Sequence, residues 1–310
     1  MVSVQCITYN HEKYIRKALD GFVMQKTNFK FEVIVHDDAS TDATPQIIQE
    51  YAEKYDFIIP IFQSVNQYSQ GIPFEIKYIY PRFRGKYIAY CEGDDYWTNS
   101  NKLQFLFDYM EKHPNCSMCC HAYENIEANS EKKIREVHTL DHDGTITIEN
   151  AIMYNNPPQL ASQMFKKECI LNKPDLFMHR GVGDYTSLLY SAILGEMHYI
   201  DKVMAKHRIA SDGSWTVRVN RNKEMKIEHD LNMISFLEDF NQYCELKYQA
   251  CIYNKIEQFR FDILMNQRRY KEMINHKCFN TLSKKRTLLI ILGAYFPKFI
   301  NKILDQHDLC

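Results

Sequence analysis

Two pairs of adjacent aspartates, Asp37-Asp38 and Asp94-Asp95, each follow an apolar run. Neighbouring carboxylates repel, so a pair held in one place favours a cation. Magnesium and manganese take oxygen ligands, and magnesium commonly combines one or two carboxylates with substrate phosphates. Asp94 and Asp95 suit that task, because a metal there would bridge a diphosphate and neutralise its charge as it leaves. The plainer alternative is that all four aspartates cap turns and helices. A third polar segment, Thr8-Tyr9-Asn10, also follows an apolar run. A further carboxylate, Asp184, sits in Arg180-Gly181-Val182-Gly183-Asp184-Tyr185, just before the apolar stretch Leu188–Leu194. Its glycines allow a tight turn that would aim the side chain into a cleft. Asp184 is therefore a candidate general base, with a helix N-cap as the simpler role and His179 as a weaker base.

The elements that must position these residues alternate along the chain. Val2–Ile7, Phe31–His36, Ile58–Gln63, Lys86–Cys91 and Cys116–Ala122 read as strands, rich in β-branched and aromatic residues. Between them, Tyr14, Ile15, Ala18, Leu19, Phe22 and Val23 recur at helical spacing. So do Ile47, Ile48, Tyr51, Ala52 and Tyr55 behind Pro45, and a third helix is expected over Lys102–Glu111. This β-α-β-α order predicts an α/β fold, a mostly parallel sheet flanked by helices. In such sheets ligands bind beyond the carboxyl ends of the strands. Thr8-Tyr9-Asn10, Asp37-Asp38 and Glu92-Gly93-Asp94-Asp95 all stand at such ends, so the fold is expected to gather them at one rim.

The residues Val4–Asn10, Val33–Asp42 and Gly85–Trp97, in that order and with those gaps, resemble the family 2 glycosyltransferases of the GT-A fold. The similarity spans about residues 1–215 and is strongest over 1–125. It implies an inverting enzyme that moves a sugar from a nucleotide-sugar, most often a UDP-sugar, to an acceptor hydroxyl. The acceptor would be a glycan or a lipid-linked acceptor of surface polysaccharide synthesis. The resemblance implies that Thr8 and Tyr9, with Asn10 beside them, line the base and ribose, and that Asp38 hydrogen-bonds the base. It puts Asp94 and Asp95 at the family's metal and donor motif, with Asp95 the more direct ligand of Mn2+ or Mg2+ and Asp94 toward ribose or sugar. Asp184 would be the catalytic base. One departure stands out. Where many relatives carry Arg-x-His, this chain reads Arg208-Ile209-Ala210. Arg208 could still pair with diphosphate oxygens, whereas His207, displaced by three positions from Ala210 where that His would stand, would face the other side of a strand.

Composition narrows the alternatives. The 310 residues hold 38 Lys+Arg and 39 Asp+Glu, which argues against nucleic acid as a partner. Ten cysteines follow no framework spacing, and Cys6, Cys91 and Cys119 lie in apolar runs. With no charged start or cleavage site in Met1–Ile7, a reducing cytoplasm is the expected location. Cys116-x-x-Cys119-Cys120-His121 lacks a partner pair at zinc spacing and falls within a strand. A nucleotidyltransferase, which also pairs acids on a metal, would need a basic, Gly-rich loop after the first strand, and Thr8-Tyr9-Asn10 is not one. A non-catalytic sugar-nucleotide or membrane-surface binding module is the rival outside enzymes.

Charge divides the chain. Residues 1–215 carry 22 basic and 28 acidic side chains, and residues 216–310 carry 16 and 11. A second unit, helical and basic, is therefore expected over 216–310. Ile227, Leu231, Ile234 and Leu237 suggest the packed face of one helix, with Phe236 at its margin, and Tyr253, Ile256, Phe259 and Ile263 that of another. Lys284-Lys285-Arg286 then precedes an apolar run of ten residues, Thr287–Phe296, too short to span a bilayer. Residues 284–302 suit either peripheral contact with an anionic leaflet or docking on protein.

Overall fold

The computed structural model describes residues 1–153, 155–178, 183–209, 211, 219 and 222–301. These fall into two compact units. One takes in 1–178 and 183–211, the other 219 and 222–301. The expected boundary near 215 lies outside the described residues, as do His179, Ala210 and Lys302.

The first unit is built on a mixed sheet. Strand β1 (Val2–Thr8) lies between β2 (Phe31–Asp37) and β4 (Tyr87–Tyr90), parallel to both, and β3 (Ile58–Phe62) adds to β2 in the same sense. Alternate residues of β1 explain one layer. Val2, Val4 and Cys6 join a core with helices α1 (Ile15–Val23), α2 (Thr44–Ala52) and α3 (Lys102–Lys112). Leu19 and Phe22 come from α1, Ile48 from α2, and Leu103 and Leu106 from α3. Period-two side chains meeting period-3.6 side chains is the pattern that makes such a layer.

Beyond β4 the pairing changes direction. The short strand β9 (Met164–Lys166) inserts antiparallel between β4 and β6 (Cys116–Glu127). Strand β10 (Glu196–Ile209) runs parallel to β6, and β5 (Tyr96–Trp97) pairs antiparallel with β10. The parallel order read from the sequence thus covers β1–β4, while the antiparallel strands of two or three residues, β5 and β9, are too short to show a period. Among the described residues nine cysteines are free, six of them buried, as expected of small apolar side chains.

Gly85 sets the entry to β4. Its N–H donates to Ser3 Oγ at 2.8 Å, and Ser3 Oγ donates to the buried Glu32 carboxylate at 2.6 Å. A Cβ on Gly85 would stand 2.3 Å from Ser3 N and 2.7 Å from Val2 C. Those are backbone atoms of the central strand and cannot swing away.

The second unit is helical among its described residues. It contains α7 (Lys223–Tyr243), α8 (Gln249–Asn266), α9 (Tyr270–Ile274) and α10 (Lys284–Tyr295). The faces differ from the expected ones. Phe236, Leu237 and Phe240 are fully buried on α7, whereas Leu231 is exposed. On α8 Ile252 and Phe261 are buried while Tyr253 is exposed. The inward face of α7 also carries the buried Asp230, which accepts from Lys226 Nζ at 2.7 Å, and this polar pair masks the stripe in the sequence.

Gly85→Ala is expected to destabilise the first unit by about 1–3 kcal/mol through overpacking against β1. Denaturant unfolding of the two proteins measures it, and an unchanged midpoint would refute the close approach.

Candidate active site

The three sequence segments meet because their strands end in register. Thr8 pairs with Asp37 across β1 and β2. Past the strand ends, Asp38 N donates to Thr8 O at 3.0 Å and Gly93 N donates to Ile7 O at 2.9 Å. Asn10, at a positive φ of 55°, accepts from Thr41 N through Oδ1 at 2.8 Å, and its own N–H donates to Ser40 Oγ at 2.8 Å. Asparagine tolerates that left-handed conformation better than most residues. Asn10 therefore ties the first two loops together. Thr8 is buried and its Oγ1 has no partner, while Tyr9 is 43% exposed on the rim. Gly93 packs so close that a Cβ there would meet Thr8 Oγ1 at 2.8 Å and His11 Nδ1 at 3.0 Å.

At the end of β4, Glu92, Asp94 and Asp95 bring carboxylate oxygens within 4.8 Å of one another. Among the described residues this is the group of acidic, His and Cys side chains arranged to hold an ion. Asp95 is buried and braced twice: its Oδ1 accepts from Arg208 N at 2.9 Å and its Oδ2 from Gln159 Nε2 at 2.6 Å. Asp94 is half-buried, and its Oδ2 accepts from Ser211 Oγ at 2.6 Å. Burial first, and the neighbouring Asp94 and Glu92 second, push the Asp95 carboxyl well above the usual range. Glu92 is pushed up to about 8 by burial, then by Asp94, Asp184 and Glu75. Three carboxyl groups drawn together, with Asp95 buried and Glu92 and Asp94 partly open, fit a divalent cation of the oxygen-loving kind.

The structure places the other expected residues as follows. Asp38 is buried, and its two carboxylate oxygens accept from Gln67 N at 2.7 Å and Tyr68 N at 3.0 Å. It thereby holds the loop 66–68 against the rim. Asp37 turns back on Ser40. Asp184 lies exposed in the first turn of α6 (Gly183–Leu194), close enough to raise the Glu92 carboxyl.

The Arg208 guanidinium, expected to meet diphosphate oxygens, is buried, and its Nε has no partner. It donates to the Asp94 carbonyl and to Glu131, and lies over the rings of Tyr14 at 5.0 Å and Tyr96 at 4.7 Å. Its backbone and side chain together clamp the acidic turn. His207 Nδ1 lies 3.1 Å from Asn125 Oδ1 on β6.

Four contributors carried no sequence signal of their role. Glu92 was part of the rim segment without an assigned task. Gln159, Ser211 and Glu131 act through contacts 64, 117 and 77 residues away in the chain. Only an unpaired spacing of polar residues marks them, and that marks half the surface.

A sheet of this order with an acidic turn beyond its central strands is the architecture of the GT-A glycosyltransferases. The solved structures agree on the fold. A mannosyltransferase from Pyrobaculum calidifontis, in complex with GDP-Man and Mn2+, aligns over all of this chain and 88% of its own at a TM-score of 0.58 and 14% identity. TarS residues 1–349 of S. aureus, in complex with UDP, aligns over 97% of this chain and 82% of its own at 0.57 and 17% identity. Residues 3–168 match the family model "Glycosyl transferase family 2", and the chain belongs to that family. Among curated relatives, the uncharacterized protein Rv1520 of Mycobacterium tuberculosis is 35% identical over 215 residues, 69% of this chain and 60% of its own length. The poly(ribitol-phosphate) beta-N-acetylglucosaminyltransferase TarS of Staphylococcus aureus is 31% identical over 112 residues, 36% of this chain and 19% of its own. The chain thus spans about 60% of the length of its mycobacterial relative.

The acidic corner sets a pH dependence. Glu92 holds its proton in the folded state up to about pH 8, whereas the unfolded chain releases it near 4.5. The metal-free protein is therefore expected to lose stability as pH rises through that window. Manganese should reverse the loss and Glu92→Gln should flatten it. Thermal melts at a series of pH values, with chelator and with Mn2+, test this; a metal-free profile identical in both proteins would refute it.

Proposed function

We propose that this chain transfers a sugar from a nucleotide-sugar, a UDP-sugar, to a hydroxyl of a glycan or lipid-linked acceptor, with inversion at the anomeric carbon. The observation that carries the reading is the convergence of Glu92, Asp94 and Asp95 within 4.8 Å at the same rim as Thr8 and Tyr9. Surface polysaccharide synthesis is the setting suggested by TarS among the relatives.

In this reading the nucleoside lies along Thr8, Tyr9 and Asn10. The unpartnered Thr8 hydroxyl is a donor and acceptor ready for a polar ligand. Asp38 shapes the base pocket through the loop it holds. Asp94 and Asp95, with Glu92 beside them, would hold Mn2+ or Mg2+, whose charge would stabilise the diphosphate as leaving group. Arg208 keeps the turn in place from behind. Asp184 takes the proton of the acceptor hydroxyl as its oxygen attacks the sugar carbon, and the nucleoside diphosphate departs from the opposite face. Its exposure at the head of α6 leaves it open to a substrate.

The test has two arms. Calorimetric titration with UDP, GDP and CDP, with and without manganese, should show metal-dependent binding of one nucleotide. Turnover of the matching sugar nucleotide by the wild type and by Asp184→Asn should then differ by about 10²–10⁴-fold, with nucleotide affinity unchanged. Binding without turnover in the wild type would make the chain a binding module. Equal turnover in the two proteins would remove Asp184 as base.

A further inference from the structure

Helix α10 has two apolar faces, and only one of them is covered. Its inner face docks within the helical unit. Ile290 joins Phe261, Tyr270 and Met273 in a small core, together with Ile300 from the segment that follows. Gly293 lies against the Tyr270 ring, which a Cβ would approach to 2.6 Å. That contact answers one of the two roles considered for 284–302. The other face is apolar and exposed. Leu288, Ile291, Leu292 and Tyr295 recur at the spacing of one helix face; Phe296 is the non-helical cap, and Phe299 lies in the helical segment 297–301 that follows. All six are exposed, with Leu288 at 57%, Tyr295 at 74%, Phe296 at 60% and Phe299 at 64%. Clustered exposed apolar residues of this size mark an interaction surface rather than scattered surface hydrophobes.

The charge around the stripe selects the occupant. Lys284, Lys285 and Arg286 stand at one end, all exposed, and Lys298 is exposed near the other. Between residues 277 and 302 there are six basic side chains and no acidic one. Among the described residues no helix is long and apolar enough to cross a membrane. A short helix with an aromatic apolar face and basic flanks has the make-up of one that lies in the interface of an anionic bilayer. Its rings would enter at headgroup depth and its bases would meet lipid phosphates.

We propose that the outer face of α10, with Phe296 and Phe299, is a peripheral docking surface for an anionic lipid bilayer. This goes beyond the transfer reaction and does not depend on it, since the residues belong to the helical unit and bear on no step of catalysis.

The experiment is flotation of the full chain with vesicles, read by the fraction of protein that rises. One set holds equal parts phosphatidylglycerol and phosphatidylcholine, the other phosphatidylcholine alone. The wild type should float with the anionic vesicles, and raised salt should weaken it. The triple variant Tyr295→Ser/Phe296→Ser/Phe299→Ser should lose binding by about tenfold or more. Lys284→Gln/Lys285→Gln/Arg286→Gln should bind the two vesicle types alike. Circular dichroism melts of both variants, whose changed side chains are exposed, check that the fold persists. Absence of flotation by the wild type would overturn the proposal. So would equal flotation of wild type and aromatic variant. A dimer in sedimentation that the aromatic variant dissolves, without vesicle binding, would assign the stripe to a second copy instead. None of these readouts uses sugar transfer, so failure here leaves the catalytic reading intact, and failure of that reading leaves this one intact.

Discussion

The crowding of three acidic groups is the constraint around which this site is built. Ionised together, Glu92, Asp94 and Asp95 would turn away from one another into water; without a cation, Glu92 and Asp95 instead hold their protons above the usual carboxyl range. The fold keeps the three together by burying Asp95 and giving each of its oxygens a neutral donor, one from the Arg208 backbone and one from Gln159. Neutral donors orient a carboxylate without cancelling its charge. The nearest full positive charge, the Arg208 guanidinium, is directed to the Asp94 carbonyl and to Glu131 rather than to the carboxylates. The corner therefore stays electron-rich, which suits a divalent ion and would be a poor design for a purely structural turn.

The same economy of contacts governs the nucleotide side of the rim. Asp37, Asp38 and Asn10 all use their polar atoms on backbone groups of nearby loops. Loop backbone that is hydrogen-bonded by side chains keeps its shape without joining the sheet. Buried polar atoms left without a partner include the Thr8 hydroxyl, His11 Nδ1 and Arg208 Nε. The rim is thus rigid where the chain must hold its shape and unsatisfied at a point where a ligand would be met.

Much of this was legible before any coordinates. The strands β1, β2 and β4 were readable because each is a buried apolar run that stops at a polar turn, and the strand-end rule then brought Thr8, Asp38 and Asp95 to one edge. Other parts were not legible, for physical reasons. Strand β9 has three residues and no period. The contacts of Arg208 with Asp94 and Glu131 depended on which atoms lay within its reach, 114 and 77 residues away in the chain. In the helical unit, the buried Asp230, paired with the partly exposed Lys226, broke the apolar stripe, so Leu231 looked internal and Phe236 marginal, the reverse of their burial. Sequence periodicity reports a face only when that face is uniformly apolar.

The brace on Asp95 also governs the order in which the chain can mature. Arg208 lies 113 residues beyond Asp95 and Gln159 lies 64 beyond it. During synthesis the diagnostic aspartates emerge long before the groups that lock them. Contacts so distant in sequence form late, after loop closure has been overcome. A chain ending at residue 125 would carry the whole motif without the Gln159 and Arg208 groups that brace Asp95. The placement of the three acids is thus completed by parts of the chain that lie far beyond them.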